Sequence, residues 1–168
     1  MKLVLVGVSH RTAPVEVRER LAIPESRLAE ALRSLKAQAG VLEVMVLSTC
    51  NRVEVLVAAE DACEPVIPLE AGEPHVYRYE GREALHHLFR VAASLDSMVV
   101  GEPQILGQLK KAYAAAKHQG ALGGWLDALV ARSFGVAKRV RSETGLGQMA
   151  VSVSYAAVEL ARKIFGSL

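Results

Sequence analysis

Apolar residues fall in short, nearly unbroken runs over the first half of the chain and at helical spacing over the second. Leu3 to Val8 is rich in Val and Leu and alternates poorly, the pattern of a buried strand. Ser9 to Pro14 is a polar break. Proline suits a first helical turn, so Pro14 predicts a short helix over Val15 to Leu21. His10, in that break, could act as a ligand or base, or as a turn histidine bonded to backbone. Pro24 opens a clearer helix, with Leu28, Leu32 and Leu35 on one face and Gly40 as its stop. Val41 to Thr49 and Val53 to Ala58 are strand-like runs parted by a few polar residues, which predicts an antiparallel hairpin. Residues 60–75 carry Pro65, Pro68, Gly72 and Pro74 and argue against a long helix. Val76 to Tyr79 reads as a last strand.

From Gly81 the spacing turns helical. Leu85, Leu88, Phe89, Ala92 and Leu95 form one stripe, and Ile105, Leu109, Ala112 and Ala116 a second. Leu126, Leu129, Val130, Ser133, Ala137 and Val140 form a third, with Arg132 and Arg139 standing off it. Val153 to Phe165 predicts a further helix that runs almost to the last residue. The expected organisation is α+β: a sheet unit over residues 1–80, a helical part over 81–148, and the start of a linking helix over 149–168. The order of elements suits a small four-stranded antiparallel sheet with helices on one face.

Composition adds bounds. The chain of 168 residues is 51% hydrophobic and 23% charged, enough to bury a core in one domain or two small ones. No apolar run approaches the roughly 18 residues of a membrane span. Met1 to Val6 meets Gly7 and His10 too soon for a signal peptide. Two cysteines without close spacing suit a reducing cytoplasm. Residues 1–109 carry 11 Lys+Arg against 15 Asp+Glu, and residues 110–168 carry 9 against 3. The basic second part suits either a polyanionic partner or a solvated helix face.

The candidate chemistry sits at the hairpin tip, Ser48-Thr49-Cys50-Asn51-Arg52. Free cysteine usually behaves as a small buried hydrophobe. Here its neighbours are hydroxyls, an amide and a guanidinium, and a cation two residues away favours the nucleophilic thiolate. Spacing alone leaves nucleophile and core residue both open. Cys63 lies in the proline-rich segment and is read as incidental.

Four stretches, in order along nearly the whole chain, resemble the glutamyl-tRNA reductase family. They are Ser48 to Arg52, Gly7 to Pro14, Leu95 to Gln108, and Ala137 to Thr144. The resemblance implies a ferredoxin-like catalytic domain. It also implies that Cys50 takes the glutamyl group of glutamyl-tRNA as a thioester. NADPH would then reduce that thioester to glutamate-1-semialdehyde for tetrapyrrole synthesis. By register it places His87, of the helical pair His86-His87, near the nucleophile for acid–base or orienting work. It carries substrate contacts onto Thr49, Asn51, Arg52, Ser97, Glu102, Pro103, Gln104 and Gln108.

Arg52 suits the substrate carboxylate, or an ion pair with Glu54. Thr49 and Asn51 can hold substrate or merely satisfy the turn. Glu102 suits the α-ammonium, or caps the helix ahead of Pro103. The family's nicotinamide-binding and dimerising domains follow this region, so the resemblance implies an N-terminal catalytic portion of a longer homodimeric enzyme. It further suggests a downstream aminomutase partner. A non-catalytic tRNA-binding or assembly module is the alternative. No metal-ligand cluster stands out. Gly145-Leu146-Gly147-Gln148-Met149-Ala150 matches a dinucleotide fingerprint, but a basic helix precedes it where a strand is needed, and it reads as a loop.

Overall fold

The computed structural model describes residues 1–70, 74–147 and 153–166, with the side chains of residues 147, 153–156 and 159 outside that description. Four strands, β1 (Lys2–Ser9), β2 (Val41–Ser48), β3 (Arg52–Ala59) and β4 (Tyr77–Glu80), form one sheet in the order β2-β3-β1-β4. Every pairing is antiparallel. This is the ferredoxin-like order, in which the strands next to each other in sequence at the hairpin, β2 and β3, lie to one side of β1. The helix that this topology usually places before the last strand is replaced by a single 3-10 turn, Pro68–Glu70. Prolines 65 and 68 explain the replacement, since each removes a backbone donor.

The helices are α1 (Val15–Leu21), α2 (Glu25–Lys36), α3 (Gly81–Ala92), α4 (Gln104–His118), α5 (Trp125–Glu143) and α6 (Val153–Phe165). The helices of the first part, α1 and α2, lie on one sheet face as the element order suggests, and the later helices cover the other. Paired residues of neighbouring strands share a face. Leu47, Glu54, Gly7 and Tyr77 therefore line up on one side, with Met45, Leu56, Leu5 and Tyr79 in the next row. That side takes α3, α4 and α5. The other side, with Val55, meets Leu21, Ile23 and Leu35 around α1 and α2, together with Leu69 of the 3-10 turn. Burial on both sides is why β1 and β3 do not alternate: all of β3 is buried. One core of Leu, Val and Ala side chains runs from the sheet through α3, α4 and α5.

Glu43 of β2 fixes α5 against the sheet. Its carboxylate accepts backbone N–H groups of Gly123, Gly124, Leu126 and Asp127 at 2.7–3.2 Å. These are the donors a helix start leaves unpaired. Burial alone would raise the Glu43 pKa. The four hydrogen bonds, together with the positive end of the helix dipole, outweigh it and bring it below its ordinary value.

Candidate active site

The β2–β3 connection is three residues long and puts Cys50 at the sheet's end with its side chain exposed. Thr49 builds the turn. Its hydroxyl accepts the N–H groups of Asn51 at 3.2 Å and Arg52 at 3.1 Å and donates to the Arg52 carbonyl. The backbone of Thr49 donates to the same carbonyl at 2.8 Å. His10 of the first loop and Arg18 of α1 then clamp the tip. The His10 N–H donates to the Asn51 carbonyl at 2.8 Å. The Arg18 guanidinium, nearly buried, donates to the carbonyls of Ala13 and Cys50 and to the Asn51 side chain. Every group that could let the tip sag is thus tied, while the sulfur is left outside. His10 serves the turn through its backbone, and its buried Nδ1 has no partner among the described residues. Its pKa is lowered, first by burial and then by the Arg52 charge.

Behind the tip lies a buried polar cluster. The Arg52 side chain is 1% exposed, and it points along the α3-covered face into the fold. It donates to Glu54 at 2.8 Å and to both the backbone and the carboxylate of Asp96. One oxygen of Glu54 also accepts the Tyr77 hydroxyl at 2.6 Å and faces the His87 Nε2 at 2.7 Å. Burial would push the Glu54 pKa up. The His87 hydrogen bond, the Arg52 charge and the Tyr77 hydroxyl reverse that and hold it at about 2. An ionised carboxylate can only accept, so His87 presents Nε2–H to it and keeps Nδ1 for other work. The Tyr77 phenol is held far above its ordinary pKa by burial and by the same carboxylate.

Gly7 makes room for this cluster. A Cβ there would stand 2.6 Å from the Val53 carbonyl and 2.7 Å from the Glu54 Cγ. The strand-face pairing places Gly7 between Glu54 and Tyr77, so only a residue without a side chain lets their bond form.

The Leu95–Gln108 motif joins the site through Asp96. Asp96 also lies 3.6 Å from Arg11 and 3.9 Å from Arg90. The loop between α3 and α4 is closed by Ser94, whose hydroxyl donates to the Glu102 carbonyl at 2.6 Å and whose carbonyl accepts the Gly101 N–H. Gly101 has φ +87°, and a Cβ there would stand 2.8 Å from the Leu146 carbonyl, so α5 and its following turn pack directly on this loop. Ser97 and Glu102 are buried in the loop, and Pro103 and Gln104 are exposed where α4 begins. No side chain caps α4, and the Glu102 carboxylate has no hydrogen-bond partner among the described residues, so of the two readings of Glu102 the capping one is not seen. Gln108, one turn beyond Gln104, lines an open cleft of about 490 Å³ with Ser48 and Leu47, beside the end of β2.

The structure thus separates the predicted residues into three groups. Thr49, Cys50 and Asn51 form the tip. Arg52 and His87 share the buried cluster. Ser97, Glu102, Pro103, Gln104 and Gln108 follow α3 and enter α4. For Arg52 the structure shows the ion pair with Glu54 that the sequence left open, buried rather than on the surface, and adds Asp96. The Arg52 charge is already matched by Glu54 and Asp96, so a substrate carboxylate reaching it shares it with them. Sequence reasoning missed Arg18, Tyr77 and Asp96, and noted Glu54 only as an ion-pair partner. A glutamate inside Val53-Glu54-Val55-Leu56-Val57, facing a glycine in the next strand, was the available signal.

Residues 6–144 match the family model described as the glutamyl-tRNA(Glu) reductase N-terminal domain. The chain belongs to the glutamyl-tRNA reductase family. It is 67% identical to the glutamyl-tRNA reductase of Solibacter usitatus, with all of this chain and 43% of that protein covered. It is 52% identical to glutamyl-tRNA reductase 2 of Koribacter versatilis, again over its whole length and 41% of the relative. The solved glutamyl-tRNA reductase from Methanopyrus kandleri superposes with a TM-score of 0.80 at 40% identity, covering 99% of this chain and 41% of that one. The chain therefore spans about two fifths of the length of the curated glutamyl-tRNA reductases it matches.

The Gly145–Gly147 segment of the apparent dinucleotide fingerprint is a 3-10 turn directly after α5, and residues 148–150 lie outside the described residues. The sheet is wholly antiparallel, so the described residues offer no strand–glycine turn–helix cradle for a nicotinamide dinucleotide. No group of His, Cys, Asp and Glu among them could hold a metal ion, and no described helix is long and apolar enough to cross a membrane.

Proposed function

We propose that this chain is the acyl-accepting portion of a glutamyl-tRNA reductase. Cys50 attacks the ester carbonyl of glutamyl-tRNA, the C–S bond forms, and the ribose hydroxyl leaves with its proton restored. The product is a glutamyl thioester on the protein. The observation that carries this reading is an exposed cysteine held by Thr49, Arg18 and His10 at a rigid sheet end, in a chain of this family.

His87, oriented by Glu54, is positioned for proton transfer through Nδ1, on the logic of a histidine fixed by a buried carboxylate. Thr49 and Asn51 shape the nucleophile's turn. Ser97, Glu102, Pro103, Gln104 and Gln108 are the proposed contacts for the amino acid and its ester, with the Glu102 carboxylate free to meet the α-ammonium. Arg52 offers its cation to the side-chain carboxylate from within the cluster. Hydride transfer from NADPH belongs to parts of the family's enzymes that the described residues do not supply. The semialdehyde product, homodimer assembly and a downstream aminomutase are expectations for the longer enzyme.

Incubation with tRNA carrying labelled glutamate tests the reading. Label should pass to the protein and be released by hydroxylamine, as a thioester is. Binding of charged and uncharged tRNA with no transfer of label at any concentration would favour a binding module instead.

A further inference from the structure

Along α3, Arg82, His86 and Arg90 stand at intervals of four residues, one helical turn apart, and so form a single ridge. Arg82 and His86 are exposed and have no ion-pair or hydrogen-bond partner among the described residues. The ridge borders an open cleft of about 540 Å³ whose other walls are Tyr79, Glu83, His87 and Asp96. Of the two carboxylates there, Asp96 is shared among Arg52, Arg11 and Arg90 itself, so Arg90 is partly matched within the cleft, and Glu83 is the remaining acid. Tyr79 lies at the cleft's inner end. Its ring centroid is 5.0 Å from that of His87 and 5.1 Å from that of Tyr77, so the three rings form one aromatic wall.

A line of cations at one-turn spacing beside an aromatic face is the arrangement that binds single-stranded nucleic acid. Cations follow the phosphates, and a ring takes a base without regard to its identity. We propose that this ridge and Tyr79 hold the single-stranded 3′ end of the aminoacylated RNA. Arg82 and Arg90 hold phosphates, His86 between them offers a ring hydrogen bond, and Tyr79 stacks the terminal base. The inference deepens the function proposed above and rests on it for the identity of the RNA. Its geometric consequence is direct. A terminal nucleoside stacked on Tyr79 brings its ribose to the His87 side of the cleft, from which the ester extends along the sheet toward the Cys50 turn.

The basic helix α5 is the competing surface, since the second part of the chain carries the excess of cations. Two of its four cations are engaged, while Arg132 and Lys138 have no ion-pair or hydrogen-bond partner among the described residues. Arg139 pairs with Glu143, and Arg141 donates to the Gly101 carbonyl. None of the four borders the cleft that reaches His87.

The test is fluorescence anisotropy with a labelled single-stranded oligoribonucleotide of the tRNA 3′-terminal sequence, titrated with the 168-residue chain over a range of salt. The double variant Arg82→Gln/Arg90→Gln should bind about tenfold more weakly, and its log–log salt slope should fall by about 1.4, two phosphate contacts on a single strand. Arg82→Lys/Arg90→Lys should keep the slope, which separates lost charge from lost structure. Tyr79→Leu should weaken binding without changing the slope. Lys138→Gln/Arg139→Gln on α5 should have little effect. Loss on the α5 variant with none on the α3 variant, or wild-type binding indifferent to salt, would overturn the proposal. Glutamyl transfer to Cys50 alongside unchanged oligonucleotide binding by the α3 variant would sink this inference and spare the function. Oligonucleotide loss in that variant with no transfer by wild type would do the reverse.

Discussion

His87 and Glu54, thirty-three residues apart in sequence, meet at 2.7 Å inside the protein. The contact joins a helix to a strand and sets which imidazole nitrogen is left to act. Replacing Glu54 tests how much depends on it. Glu54→Gln leaves the Arg52 cation buried with only Asp96 as counter-charge. Removing one partner of a buried pair costs about 3–5 kcal/mol. Urea unfolding should show a drop of that size, and glutamyl transfer should fall even under conditions where the variant is folded.

Acid should unfold the protein partly through the same carboxylate. The Glu54 pKa is depressed from 4.5 to about 2 in the fold. Its contribution is therefore complete above about pH 4.5 and is lost as pH falls toward 2, a loss on the order of 3 kcal/mol. Glu43, also depressed, adds to the same acid-side loss. Stability measured by circular dichroism from pH 6 to 2 should fall less steeply in Glu54→Gln than in wild type. An identical slope would contradict the depressed value.

Gly7→Ala should be costly although it adds one methyl group. That methyl would lie within 3 Å of both Val53 and Glu54, one of them backbone that cannot yield. Overpacking of this kind costs about 1–3 kcal/mol. The transfer rate should fall further than stability explains, because Glu54 moves away from His87. A variant as stable and as active as wild type would refute the close approach.

Arg18→Ala separates positioning from folding. Arg18 holds the Cys50 carbonyl and the Asn51 side chain, while the hairpin's ladder is independent of it. A displaced nucleophile loses up to about 100-fold in rate. Transfer should slow by about 10- to 100-fold, with the β-sheet signal in circular dichroism retained. An unchanged transfer rate would show that the clamp is dispensable.

Much of this was legible in the chain, and the reasons differ by residue. The hairpin and its cysteine tip show in the sequence because two strand-like runs flank a few polar residues, and local pattern suffices for a turn. Helix geometry says only that His86 and His87 cannot face the same way, since adjacent residues point about 100° apart, and the family resemblance chose His87. The structure accordingly buries His87 and leaves His86 exposed. The second covered face of the sheet was not legible, since helix periodicity does not say which surface α3 to α5 will choose. The Glu54 partner of Arg52 was legible two residues along the same strand, but Asp96 was not, because it meets Arg52 only when β3 and the α3–α4 loop pack. Tyr77 and Arg18 had no local signal, for their roles are set by partners 23 and 32 residues away.

Peptide mapping by mass spectrometry after reaction with glutamyl-tRNA, with wild type, Cys50→Ser and Cys63→Ser in parallel, bears most directly on the whole account. A thioester-linked glutamyl group should appear on the Cys50 peptide of wild type and Cys63→Ser and be absent from Cys50→Ser. A glutamyl thioester that survives Cys50→Ser, or that maps to Cys63, would contradict it.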